Sequence, residues 1–430
     1  MVANISVPGP LHHPLVFTVN GTSASNYANA FQAAIDKAIQ SNTFSLAINP
    51  VGNGPAAVDA GSTMLNEFLP TGPSSYTLST GGQYSIVDNG SATTLNGSAA
   101  GGDTVLAGGA ATYNANGGHD VVTFYDGSNT YVGGTATGDT ITGGTGVDFI
   151  TTGTGSDTVF SGAGSSQITL LGTDIAYLGD GHSAVTANGS SDTVVAATNG
   201  QTIYGGSASN LTVVIMDNAS STGAAGDAIY AGASTASVFD SVGGNTIYGG
   251  AGNLTFVGSA GALSDSIVAG SGTTNVFASA DNAIAFTSTS SSGAIYAVGG
   301  AGNETLGGAG TAGNFAFFGS TDTALATNTT VVGGSGNDFF FTGAGTESLT
   351  GGSGTDLFAL NTLTGGAGAH ITISNFTAAD YITISGETAA QAAATVAAGT
   401  VSNNSLTITL SDHTTVTFSG VTSLPPGHII

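Results

Sequence analysis

The 430-residue chain has no cysteine, no tryptophan and one basic side chain, Lys37. A single cation cannot neutralise phosphates and release their counterions, which excludes nucleic acid and anionic membrane surfaces as partners. The missing thiols exclude a disulfide framework, a thiolate nucleophile and a zinc–thiolate site. No run of about 18 apolar residues occurs, so no transmembrane segment is expected. The N-terminus lacks a positively charged region, and Pro8, Pro10 and Pro14 break its apolar stretch. It does not read as a cleavable secretion signal.

What is present is acid and glycine. Twenty-six Asp and Glu against one cation leave a net charge of −25, yet only 6 % of residues are charged, against about a quarter in an ordinary soluble domain. The surface is therefore built from Ser, Thr, Asn and the 70 glycines, while 40 % hydrophobic residues suffice for a core. The carboxylates have almost no side-chain cation to meet. Metal ions, protons, or water and distance must offset them.

Glycine pairs followed by a short polar stretch and then β-formers recur from about residue 100 to residue 375, which calls for a repeat reading first. The clearest units run at nine residues: GGTGVDFIT from Gly143, TGTGSDTVF from Thr152, and GGSGNDFFF, TGAGTESLT and GGSGTDLFA from Gly333 to Ala359. Glycines supply positive-φ corners, and three following residues such as Thr158-Val159-Phe160 make a short strand with one side chain facing in. Two nonapeptides then form one coil of 18 residues, so residues 18 apart stack about 4.8 Å from each other. Asp338 and Asp356 have this spacing, as do Asp139 and Asp157, and Asp174 and Asp192.

The motif GGxGxDxUx, with U a large apolar residue, resembles the calcium-binding nonapeptide of the hemolysin-type RTX (repeats-in-toxin) proteins. The resemblance covers roughly residues 100 to 385, tightly at 133 to 169 and 333 to 359. It implies an all-β, right-handed parallel β-roll or β-helix solenoid with Ca2+ held between successive turns by carbonyls and two Asp side chains. Carried over, this places a site on Gly333, Ser335, Gly336 and Asp338 with Gly351, Gly352, Gly354 and Asp356. Further metal ligands are Asp139, Asp148, Asp157, Asp174 and Asp192, although the residue 18 beyond Asp148 is Ser166. Calcium suits such turns because it accepts six to eight oxygens in irregular geometry. The resemblance also implies type I export without a cleaved N-terminal signal.

Between about residues 200 and 320 the pattern loosens. One strand set is expected at Ile203, Ile229, Ile247, Ile267 and Ile295, and a second at Val213 to Ile215, Val238, Phe256, Val276 and Phe315 to Phe318. The acid position is taken there by Asn210, Leu254, Thr274 and Glu304, so this middle is expected to be largely metal-free and held by stacked apolar side chains. Residues 25–40 place Tyr27, Phe31, Ile35, Ala38 and Ile39 on one helical face, with Ser25 as N-cap. A short helix is expected at 389–398 and a hairpin around Ser411-Asp412-His413. The organisation read from the sequence is an N-terminal region at 1–75, a solenoid at 76–375 and a C-terminal cap with a secretion-signal region at 376–430.

No HExxH and no GxSxG occurs, so neither a zincin site nor a nucleophile elbow is present. The seven histidines are scattered and read as turn residues. The expected function is a non-enzymatic, secreted calcium-binding structural protein that self-assembles into an extracellular layer, filament or biofilm matrix. Its partners are itself and cell-surface polysaccharide. Two rivals are an adhesin, marked by a flat Thr row, and a carbohydrate-active β-helix using Asp139, Asp157 and Glu304.

Overall fold

The computed structural model describes residues 2–7, 15–20, 22–41, 44–49, 63–68, 74–78, 81–87, 92–207, 209–216, 226–258, 264–278, 284–288, 293–300, 302–322, 328–362, 368–424 and 426–430, with side chains at 29–41 and from 74 on, Pro426 apart. The regular structure of these residues is nearly all short strands, joined by turns into a parallel β-solenoid, with two helices, α1 (Thr22–Gln40) and α2 (Ala389–Ala397). The chain divides into two units, Met1–Thr212 and Val213–Ile430.

In the first unit an antiparallel pair, Val2–Val7 with Leu15–Asn20, precedes α1. The helix begins three residues ahead of the expected Ser25 cap. Parallel pairing starts at Phe44–Asn49 with Thr63–Phe68 and passes to Tyr84–Val87, Thr104–Ala107, Val121–Phe124, Thr140–Thr142, Thr158–Phe160, Ile175–Leu178 and Ser191–Ala196. The strands between them in sequence build the second sheet, from Ser74–Thr77 through Thr130–Val132 and Phe149–Thr151 to Thr202–Gly205. Parallel neighbours cannot be joined by a hairpin. From Thr63–Phe68 on, each crossover runs through one strand of the opposite sheet.

The register decides what stacks. Val122, Ile141, Val159, Ala176 and Val194 form one inward column, and Tyr131, Ile150, Ile168, Val185 and Ile203 the other. All are at most 1 % exposed except Ile168 at 2 %, and burying each such aliphatic side chain contributes about 1.5–3 kcal/mol. Outward positions alternate with these, except under α1. There Phe31, Ile35 and Ala38 are buried, Phe31 meets Tyr84 edge-on at 5.3 Å, and the outward Ile86, Leu106 and Thr123 are covered.

The second unit repeats the plan with larger side chains. Its first inward column runs Val238, Phe256, Val276, Ala297, Phe317, Phe340, Phe358 and Ile382, with Phe340 and Phe358 stacked at 4.8 Å. The other includes Ile229, Ile247, Ile267, Phe286, Leu306, Val331, Leu349 and Ile373. Ile295 departs from expectation. It joins the Val276 and Phe317 side, and Ile284–Ser288 follows Asp265–Ala269 in its place. The triplet Ala294-Ile295-Tyr296 matches Ala228-Ile229-Tyr230 in composition, but strand order assigns the sheet, and the strand at Ile284 intervenes.

The C-terminus ends the parallel stack. Thr415–Phe418 pairs parallel with His370–Ser374 and antiparallel with Ser405–Thr409, which turns through Asn403 and Asn404 at φ 47° and 59° to Thr400–Ser402. Helix α2 starts at a capping box formed by Thr388 and Gln391. Among the described residues no helix is long and apolar enough to cross a membrane.

Candidate metal centre

The turns that begin at Gly143, Thr152 and Gly333 fold back on their own acids. The N–H of the second residue donates to the carboxylate of the sixth: Gly144 to Asp148 Oδ2 at 2.7 Å, Gly153 to Asp157 Oδ2 at 2.9 Å and Gly334 to Asp338 Oδ2 at 2.7 Å. The first glycine is required by close approach, since a Cβ on Gly333 would lie 2.4 Å from Asp338 Oδ2. The other carboxylate oxygen reaches the neighbouring coil and accepts its backbone N–H.

Repetition of that second contact makes a ladder. The N–H of Asp103 donates to Asp120 Oδ1 at 2.8 Å, Asp120 to Asp139 at 2.8 Å, Asp139 to Asp157 at 2.9 Å, Asp157 to Asp174 at 2.8 Å and Asp174 to Asp192 at 3.2 Å. All six acids are buried. Their remaining oxygens take further donors, among them the Tyr113 hydroxyl on Asp120 at 2.8 Å and the Tyr131 hydroxyl on Asp139 at 2.7 Å. Asp148 lies outside this ladder and accepts from the backbone and side-chain nitrogens of Asn129, each at 3.0 Å. The structure thus brings Asp139 to Asp157 and Asp174 to Asp192, and joins both pairs through Asp157.

Asp103 and Asp120 escaped the sequence reading because they lie 17 and 19 residues from their neighbours, and an 18-residue template passes over both. In the second unit the same geometry links Asp227, Asn245 and Asp265. It also links Phe315, Asp338, Asp356 and Asp380: the N–H of Phe315 donates to Asp338 at 2.8 Å, Asp338 to Asp356 at 2.9 Å and Asp356 to Asp380 at 2.9 Å. Two glutamates occupy the acid position of related turns, with Glu304 accepting from Gly300 and Glu347 from Gly343 at 2.8 Å.

The turn at Gly351 to Asp356 differs from the rest. Gly352 and Gly354 have φ of 104° and 123°, and the Asp356 Oδ2 atom is buried without a hydrogen-bond partner. Gly334, at the position equivalent to Gly352, donates to its acid. In this turn and in the turn at Gly333 the backbone is committed elsewhere: Ser353 N–H goes to Gly334 O at 3.0 Å, Gly352 O accepts from Asn375 at 2.6 Å, and Ser335 N–H binds Thr311 O at 2.9 Å. Gly354 passes so close to Gly336 that a Cβ would lie 2.0 Å from its carbonyl oxygen. A buried anionic oxygen with no donor, in a turn of two left-handed glycines, fits a hard cation.

Burial pushes the Asp338 carboxyl up to about 6, against the N–H donors of Phe315 and Gly334 that lower it. It likewise raises Asp356, Asp148, Asp157 and Asp192. Each is therefore easier to protonate than a solvated carboxylate. Among the described residues no three acidic or histidine side chains converge on one point, so a cation here needs backbone oxygens as well as carboxylates. A family model for the RTX calcium-binding nonapeptide repeat matches four copies, over residues 133–168 and 323–358. The chain carries RTX repeats. RTX repeats bind Ca2+, the cation that the donor set of the 351–356 turn suits. The matched stretches include Asp139, Asp148, Asp157, Asp338, Glu347 and Asp356, whereas Asp174 and Asp192 lie beyond them. The curated proteins contain no match.

The histidines are turn or edge residues. His119 and His413 have φ of 63° and 71°, His182 Nδ1 lies 3.2 Å from Gly200 O, and His428 Nδ1 lies 2.9 Å from Asp380 O. His12 and His13 are outside the described residues.

Proposed function

We propose that this chain is a secreted structural protein whose RTX solenoid is completed by calcium and which assembles with copies of itself into an extracellular layer, filament or matrix. The observation that carries the metal part is the unpartnered Asp356 Oδ2 inside a matched repeat. Calcium would be held there by Asp338 and Asp356 with carbonyls drawn from Gly333, Ser335, Gly336, Gly351, Gly352 and Gly354. At Asp139, Asp148, Asp157, Asp174 and Asp192 the carboxylates already accept N–H or O–H donors. Asp338 likewise accepts a donor on each oxygen, so Asp356 Oδ2 is the one carboxylate ligand atom that calcium meets without displacing a donor, and the other sites, where every carboxylate oxygen must release one, fill at higher calcium.

Outside the cell calcium is abundant, and the −25 charge with one cation favours folding after export over folding before it. The organisation proposed is an N-terminal region at 1–75, the solenoid at 76–375 and a C-terminal cap at 376–430 that carries the export address. RTX repeats also occur beside enzymes, but the reading here is non-enzymatic. A second reading, adhesion to a hydrated polysaccharide surface, is favoured by one outward row of the second unit, where Thr305, Thr330, Ser348 and Thr372 follow one another in register.

Negative-stain electron microscopy in millimolar calcium and in chelator tests the proposal, with calorimetric titration of calcium alongside. Layers or filaments that require calcium, and that Asp356→Ala weakens, are expected. Isolated particles in both conditions would overturn assembly, and absence of calcium uptake would overturn the metal part.

A further inference from the structure

In the first unit α1 covers the outward apolar row Ile86, Leu106 and Thr123, leaving only a cavity of about 260 Å³ beneath Ala30, Phe31 and Ala34. The second unit has a longer apolar row and no such cover among the described residues. Phe239, Val257, Phe277, Val298, Phe318 and Phe341 succeed one another in strict strand register across six coils. Beside them Tyr296 and Phe339 occupy the adjacent outward row. Phe239 is 43 % exposed, Phe277 42 %, Phe318 38 % and Tyr296 47 %.

The long apolar run belongs to this face; on the other sheet Tyr230, Tyr248 and Val268 make an outward run of three that ends at Thr287. In the adjacent outward row of that sheet Thr246, Ser266, Ala285, Thr305, Thr330, Ser348 and Thr372 are small and mostly hydroxylated. A solenoid therefore does not need outward aromatics to hold its coils. Maintaining a ridge of them in water is unfavourable unless something covers it.

We propose that this ridge is a self-association surface and that its occupant is the same ridge of a second copy. The inference rests on the self-assembly reading above and deepens it by naming the contact. Three observations select a second copy. First, from Phe239 to Phe318 the row alternates large and small, Phe239, Val257, Phe277, Val298, Phe318, before ending on Phe341, so two facing copies displaced by one coil set the phenyl rings of that stretch over valines. Second, no acidic or basic side chain stands among the outward residues of these strands. The neighbouring Asp240 and Asp338 are buried, so two chains of net charge −25 meet here with the least repulsion either can offer. Third, the area is suitable for a lattice contact. Six coils span about 24 Å, and about 40 % exposure of side chains offering about 150–250 Å² each leaves roughly 500 Å² of apolar surface per copy. Two copies bury roughly 1,000 Å², the lower bound of a specific interface. Such a contact is weak singly and holds when repeated through a layer or filament.

The chain has no cysteine, so one introduced thiol is unique. Phe277→Cys and Thr330→Cys are compared in calcium with a flexible bis-maleimide reagent long enough to cross the contact and one coil, together with Phe277→Ser/Phe318→Ser by electron microscopy and sedimentation. The proposal expects Phe277→Cys to form covalent dimers at least tenfold faster than Thr330→Cys. It expects the double Ser variant to bind calcium and keep its β circular dichroism while losing assembly. Because both positions are outward, folding is retained; a variant that fails to bind calcium is replaced by Phe277→Thr alone, read by the same dimer assay in competition. Normal assembly by the folded Ser variant, with equal dimer yields at 277 and 330, overturns the ridge and leaves self-assembly standing. Wild-type chain that never assembles and gives no dimer at 277 overturns both. Wild-type monomer retained by insoluble neutral polysaccharide through Phe277 and Phe318 overturns the second copy as occupant.

Discussion

Glu347 shows how this chain handles an acid that has no cation to meet. It is buried, accepts one N–H from Gly343 at 2.8 Å and leaves its Oε2 atom without a partner. Burial, with a smaller contribution from Glu304, pushes its carboxyl up to about 8. A folded-state value above the unfolded one near 4.5 means the neutral form favours folding. That contribution is complete below about pH 4 and is lost as pH rises through about 8. Glu347→Gln keeps an acceptor for Gly343 and cannot ionise. In chelator its melting temperature is expected to match wild type near pH 5 and to exceed it by several degrees near pH 9, as read by thermal melts. An unchanged pH profile would contradict the burial argument. Tyr131→Phe removes the 2.7 Å donor on Asp139 Oδ2 inside the ladder and is expected to lower unfolding free energy by about 1–3 kcal/mol in urea melts.

At the scale of the element, the turn sets the terms and the strand follows. A Cβ on Gly351 would lie 2.4 Å from Asp356 Oδ2, whereas a Cβ on Gly427 would meet nothing within 4 Å. Gly351→Ala is therefore expected to weaken calcium binding at least tenfold and to lower amide protection in residues 351–360. Gly427→Ala should stay within about 0.5 kcal/mol of wild type. Calorimetric titration and hydrogen exchange separate the two. The nine-residue turns were legible because glycine and aspartate at fixed offsets mark them in any order of coils. Ile295 was misplaced because its triplet resembles Ala228-Ile229-Tyr230, while sheet membership depends on how many strands intervene, and Ile284–Ser288 is one of them.

For the whole molecule, protons and calcium compete for the same kind of oxygen. Asp120 and Glu304 are raised by burial to about 7 and Glu347 to about 8. Without metal, stability is expected to rise as pH falls from about 8 to about 5, since each of these acids regains its proton. Calcium binds ionised carboxylates, so its stabilising effect should be larger at pH 8 than at pH 5. Scanning calorimetry over that range, with calcium and with chelator, checks both signs.

The sequence by itself determined the repeat, the parallel solenoid and the acid positions of the tight turns. Each depends on local φ preferences or on a period, and both can be read along one chain. Only the tertiary structure decided that the acids form a continuous hydrogen-bonded ladder, that Asp103, Asp120 and Asp380 belong to such ladders, and that Asp356 alone among the acids of the matched GGxGxD turns keeps a donorless oxygen. It also decided that six apolar side chains separated by 18 to 23 residues align on one face. The reason is register: insertions of one to several residues per coil vary the spacing in sequence, and backbone pairing between coils restores the alignment in space.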